Sequence, residues 1–400
     1  MFRKINITDL LLILIVVVFS DDTLLFGSNS NPIMSGIKYA VYLLLILVRL
    51  FFIKKSINTR AFLRGTKIFF IIATIIFFSS LIHNDFRVGN LLLLFTIFTS
   101  IIYVQTINFQ RFVSIYVKIL YFLAVSSLIV YAINIFLPSI ISLFPVVTNF
   151  ADVEFRTLLV SNVFNGFNQF RNTGIYREPG VFAIYLLIAL LFTLFITNKI
   201  DKKKIIVLSI TLFTTLSTAG IFLLFLIFLM YFLTKRNMKN VLIMIFSGIS
   251  IYTIFLFFPS LYDMVFSKLN SDNKDYLSSI TRLASFLTPL EIIKNYPIFG
   301  VGLTDFVLYY EKFSYKTVGI SLKADASATN TFLNFTAVFG IFFGGLILYY
   351  YFQLSRYIVG KYAIFLVIIF FIMFSSQELK YSILFNTLMI YGAFYNKKKV

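Results

Sequence analysis

The chain has no cysteine and no tryptophan, a single histidine (His83), and only 16 acidic residues against 35 basic ones. Without cysteine there are no disulfides and no thiolate metal site. With one histidine there is no histidine-rich metal centre either. Charge of any sign is scarce: 13% of the 400 residues are charged and 60% are hydrophobic, at a mean hydropathy of +0.92. A soluble domain of this length cannot hide so much apolar surface. A formal net charge of +19 by itself points towards nucleic acid, but the basic residues fall in short clusters between apolar runs. That distribution is the positive-inside signal of a polytopic membrane protein.

A membrane-spanning helix needs roughly 20 apolar residues, fewer where it is tilted or the bilayer thin. On that basis the chain is all-α with about 12 transmembrane helices, over 9–27, 34–53, 67–82, 89–107, 112–137, 181–197, 204–217, 219–234, 240–259, 331–354, 362–376 and 381–395. The run Leu10 to Ser20 follows basic residues, as a signal peptide does. No small-residue cleavage site comes after it and further spans follow, so it reads as a first membrane helix. The stretch Lys204 to Leu233 is split at Ser217-Thr218-Ala219-Gly220, which keeps Lys202, Lys203 and Lys204 on the same side as Lys235, Arg236 and Lys239. The alternation predicts both termini in the cytoplasm, one integral membrane domain over 1–400, and two long outer loops at about 138–180 and 260–330. Long loops between spans are where function concentrates.

Basic residues placed against the positive-inside rule carry the most information. The first long loop holds Arg156, Arg171 and Arg177; the second holds Arg282 with several lysines. Guanidinium groups suit an anion, and phosphate above all, because they bind it bidentately. The alternative for each arginine is a lipid headgroup or a neighbouring carboxylate. The turn Arg177-Glu178-Pro179-Gly180 sits where a polar loop meets the apolar run from Val181 to Thr197. Proline suits the first turn of the following helix, and Gly180 admits a close approach. Glu178 is the best-placed carboxylate for proton abstraction, or else a partner of the helix dipole. From Ser278 to Asn295 the apolar positions form one broad face, with Arg282 between Ser278 and Ser285 on a polar stripe. Phe164, Phe167, Phe170 and Tyr176 either line a glycan path or anchor the interface. Asp21-Asp22 is a weak divalent-cation candidate, and His83 a solvated turn residue.

Together these residues resemble the O-antigen polymerase and ligase superfamily of bacterial envelope glycosyltransferases. The likeness lies in Gly174-Ile175-Tyr176-Arg177-Glu178-Pro179-Gly180; in Arg282 followed by Asn295-Tyr296-Pro297-Ile298-Phe299-Gly300-Val301-Gly302; and in Thr329-Asn330-Thr331-Phe332-Leu333 leading into Phe339-Gly340-Ile341 and Gly344-Gly345. It covers roughly the second half of the chain and is nearest to Wzy-type polymerases of capsule and O-antigen. Many ligase members carry a histidine where Thr329 stands here, which favours polymerase over ligase.

The resemblance implies a GT-C-like architecture in the bacterial cytoplasmic membrane. It implies transfer of an oligosaccharide from its undecaprenyl diphosphate carrier to a second lipid-linked repeat unit, with inversion, at the outer face. On that footing Glu178, Arg177 and Arg282 are the expected catalytic residues. Arg171, Arg156, Tyr176 and Asn330 are expected to bind the diphosphate or glycan. No metal or cofactor is required, since arginine can do the charge work. The implied partners are lipid-linked oligosaccharides, membrane lipids, a chain-length regulator and a flippase of the same pathway. Two rivals are an O-antigen-type ligase and a transporter or flippase for lipid-linked glycans; a structural scaffold would leave the outer arginines unexplained.

Overall fold

The computed structural model describes residues 7–49, 59–150, 152–158, 160–165, 170–197, 200–235 and 276–395, with Lys239 and Leu242. The expected span over 240–259 and the start of the second long loop lie outside them. In chain order the helices are α1 (Ile7–Val17), α2 (Pro32–Leu47), α3 (Thr59–Ile82), α4 (Val88–Thr106), α5 (Phe109–Phe136) and the short α6 (Pro138–Ile141). After a small sheet come α7 (Pro179–Phe195), α8 (Lys202–Thr214), α9 (Thr218–Thr234), α10 (Tyr276–Asn295), α11 (Gly302–Val318) and α12 (Ala324–Ser327). The last four are α13 (Thr331–Phe339), α14 (Ile341–Val359), α15 (Ala363–Ser375) and α16 (Ile383–Phe394). The sheet is an antiparallel meander of β1 (Val146–Thr148), β2 (Glu154–Thr157) and β3 (Asn162–Phe164), with Val147 opposite Phe155 and Phe155 opposite Phe164.

Four stretches are long and apolar enough to cross a membrane: Ala61–Ile82, Val88–Thr106, Phe109–Phe136 and Ile341–Ser375. The other apolar helices are shorter, between 10 and 17 residues. Two expected spans are corrected. The first, over 9–27, ends at Val17 and is followed by a turn and a π-helical segment, Leu24–Ser28. The run 331–354 is two helices, because Gly340 has φ +88° and interrupts it. A β-carbon on Gly340 would lie 1.9 Å from the Ile298 carbonyl oxygen, and one on Gly300 2.3 Å from that of Val338. Two glycines therefore let the 297–301 turn clasp the helix break. Main-chain bonds from Val301 N to the Ala337 carbonyl (3.0 Å) and from Ile341 N to that of Pro297 (2.8 Å) close the clasp, and Ser79 of α3 donates to the Phe299 carbonyl at 2.9 Å.

The centre of the molecule is α7, apolar and buried on every side from Val181 to Leu194. A helix apolar all round belongs in an interior. Lipid tails are as apolar as leucine, so packing and hydrogen bonds hold such helices together more than release of water does. The abundant tyrosines use both. Tyr116 donates to the Tyr185 carbonyl (3.1 Å), Tyr351 to that of Phe385 (2.8 Å) and Tyr391 to that of Ile107 (2.8 Å), each across two elements. Each bond contributes about 0.6 kcal/mol in a membrane setting. On α3, by contrast, Phe70, Phe77, Phe78 and Leu81 are exposed, as a lipid-facing helix requires.

Candidate functional site

The run Lys204 to Leu233 breaks at residues 215–217, where Leu216 takes a positive φ of 50° and Ser217 caps α9 by accepting from Gly220 N at 3.2 Å. This junction positions two of the expected cations. Arg171 Nε donates to the Thr215 carbonyl at 3.3 Å, and Arg282 of α10 donates to the Thr218 hydroxyl at 3.3 Å. The loop bearing Arg171 is stitched to the same place: Asn172 N donates to the Thr214 carbonyl and Asn172 Nδ2 to the Thr214 hydroxyl, both at 3.0 Å.

Arg171 and Arg282 line one cavity of about 310 Å³ together with Glu178, Pro179 and Gly180 at the start of α7, Ser217 and Ala219 at the start of α9, and Asn330 at the start of α13. Three helix N-termini thus meet there, each with partial positive charge. Burial, and then the neighbouring positive charge of Arg282, push the Arg171 pKa down, while Glu178 opposes the shift. An anion placed between the two guanidinium groups would relieve that repulsion. Asn330 is fully buried; its side-chain oxygen caps α13 by accepting from Leu333 N at 3.1 Å, and its Nδ2 has no protein partner. A buried amide donor left unmatched costs about 1–3 kcal/mol, so a ligand acceptor has a ready place. Glu178, the N-cap of α7, makes no capping bond with its side chain and is exposed.

The other expected residues stand elsewhere. Arg177 is turned away from the cavity: a terminal guanidinium nitrogen donates to the Glu378 carbonyl at 2.6 Å. Burial alone would lower its pKa, but the carboxylates of Glu178, Asp22, Asp21 and Glu378 outweigh it and hold the pKa above the ordinary arginine value. Arg156, on β2, donates to the Phe144 carbonyl at 2.7 Å within the small sheet region. Tyr176 is fully buried and packs against Phe182 and Tyr185, with ring centroids 5.4 and 4.3 Å away. Phe164 packs on Phe155, Phe170 is exposed, and Phe167 lies outside the described residues. Arg177 and Arg156 are drawn away from the cavity by main-chain carbonyls, and Tyr176 by ring packing in the core.

Asp22, weighed above only as a cation ligand, is a buried carboxylate that accepts hydrogen bonds from the hydroxyls of Ser20, Tyr185 and Ser382. Its carbonyl also accepts from Arg177 N at 3.1 Å. It ties the turn after α1 to α7 and to the cap of α16. Asp21 pairs instead with Lys38, and no metal-binding cluster of acids or histidines occurs among the described residues. The lining contributed by Ile372, Ser375, Ser376 and Gln377 was not anticipated. Its signal in the sequence is a polar run, Ser375 to Lys380, between the apolar runs that become α15 and α16.

A family model described as O-antigen ligase matches residues 204–350. The match supports assignment of the chain to the O-antigen polymerase and ligase superfamily, and the family suggests a membrane enzyme of the polymerase or ligase kind. No curated protein and no solved structure matches significantly. Arg282, Ser217 and Asn330 lie inside the matched stretch; Arg171 and Glu178 precede it, and Gln377 follows it.

Proposed function

We propose that the chain is a polysaccharide polymerase. It joins undecaprenyl-diphosphate-linked repeat units at the outer face of the bacterial cytoplasmic membrane by inverting glycosyl transfer. The observation that carries this reading is the convergence of Arg171, Arg282, Glu178 and Asn330 on one cavity. In the reaction the acceptor hydroxyl attacks the anomeric carbon of the donor sugar. A new C–O bond forms as the bond to the diphosphate breaks, and the hydroxyl proton passes to a base. Arg171 and Arg282, helped by three helix N-termini, neutralise the charge that grows on the departing diphosphate, so the charge work falls to the protein. Glu178 orients and deprotonates the acceptor. Arg177 acts beside Glu178 by fixing the turn against the Glu378 carbonyl.

The description of the matched family favours a second reading, transfer of a finished polymer to another acceptor. Against it stands Thr329, at the position where many ligases carry histidine. Its hydroxyl donates towards Ser285 Oγ (3.1 Å) and the Ser375 carbonyl (3.3 Å), a structural link and no base.

The test is a glycan gel from a bacterial host lacking this gene. Collapse of the ladder to single repeat units, restored by the wild-type gene but not by Arg282→Ala or Glu178→Gln, supports the polymerase. Long polymer persisting on the lipid carrier marks a ligase, and repeat units trapped on the cytoplasmic side mark a flippase.

A further inference from the structure

The reaction above uses only part of the cavity lining. A further part, Ser375, Ser376 and Gln377, closes α15 at its C-terminal end and bears no charge. Ser375 Oγ donates to the Phe371 carbonyl at 2.7 Å and Ser376 Oγ to that of Met373 at 2.8 Å. A hydroxyl has one proton, so both serines have spent theirs on their own helix and keep only lone pairs to offer. The C-terminal end of a helix adds partial negative charge. These residues therefore accept hydrogen bonds and disfavour anions, whereas Arg171 and Arg282 in the same lining donate and attract them.

Gln377 is the adjustable part of this lining, since its amide can both donate and accept. Its position depends on Gly180, directly against it: a β-carbon there would lie 2.7 Å from Gln377 Nε2. The clash would be with the far end of a flexible side chain, so Gly180→Ala would displace the amide and leave the backbone in place.

Building on the polymerase reading, we propose that Ser375, Ser376 and Gln377 seat the donor sugar that adjoins the diphosphate, and that Gln377 sets which sugar is accepted. The fitting ligand is an uncharged, hydroxyl-bearing ring: its O–H groups donate to the serine lone pairs, and its hydroxyl or acetamido oxygen accepts from the amide. A carboxylate in that place has no proton for the serine lone pairs and meets the negative helix end.

Two readouts test this. Full-length protein in nanodiscs is titrated with inorganic pyrophosphate, and the same variants are expressed in the deletion host and scored for polymer. Arg282→Ala is expected to weaken pyrophosphate binding about tenfold or more, while Gln377→Ala and Gly180→Ala stay within about twofold. Both of the latter are expected to cut polymer about tenfold at equal membrane protein level and melting temperature. Because they act on one amide, the double variant should be no worse than the weaker single one. Full polymer from Gln377→Ala, with none from Arg282→Ala, would overturn the sugar seat and leave the polymerase reading standing. Pyrophosphate binding weakened as much by Gln377→Ala as by Arg282→Ala would overturn it too, as would additive losses in the double variant. If Arg282→Ala changes neither readout, the polymerase reading falls, and this inference with it.

Discussion

The loop between α6 and α7 has two halves that both carry arginine and behave differently in the fold. Strands β1 to β3 pair with one another and with the segment after α1, where Ser30 N donates to the Thr148 carbonyl (3.1 Å) and Phe150 N to that of Ser28 (3.0 Å), and Arg156 donates to the Phe144 carbonyl. Residues 171–178 have no such structure of their own. They are stitched to the α8–α9 junction and to the turn after α1, where Leu24 N donates to the Ile175 carbonyl at 3.1 Å. Arg171 is thereby held by one main-chain carbonyl with the rest of its guanidinium facing the cavity. An arginine is free for a ligand when the surrounding backbone has already found its partners elsewhere.

That contrast can be broken by substitution. The largest effect is expected from Arg282→Ala: loss of one preorganised cation should reduce polymer about a hundredfold or more in the deletion host. Arg171→Ala should follow with roughly tenfold, because Arg282 remains to meet the phosphate. Arg177→Ala should act on the fold. It strips a charged donor from the Glu378 carbonyl, at about 1–3 kcal/mol, so a lower melting temperature with unchanged pyrophosphate affinity is expected. Arg156→Ala should cost less than about 1 kcal/mol and leave the glycan ladder intact. If it abolishes polymer, the division of the loop into a structural and a functional half is wrong. Tyr176→Phe should be the mildest, within about 0.5 kcal/mol by thermal melt, because the hydroxyl has no partner while the ring stacking persists.

Much of this was legible beforehand. Hydropathy and the charge clusters around Lys204 and Lys235 called for a break near Ser217, and α8 and α9 meet there. Arg171, Glu178 and Arg282 were named from residue type and placement and Asn330 from the family resemblance, and they share a cavity. Three things were not legible. Residue type does not say which carbonyl an arginine will meet, so Arg177 and Arg156 read the same as Arg171. Hydropathy averages over Gly340, because one glycine scarcely lowers an apolar window, and the two helices on either side merged into one. Serines and a glutamine at the end of a helix carry no charge to draw attention, so that part of the cavity lining passed unnoticed.

The walls of the cavity come from residues as distant in the chain as Arg171 and Gln377. Contacts of such sequence separation are the last to form, because loop closure must precede their reward. During synthesis the two arginines are in place before the helix that faces them has been made. A nascent chain that has not yet reached Gln377 therefore offers a cationic groove open on one side, able to hold an anion but without the wall that would fix a ring beside it.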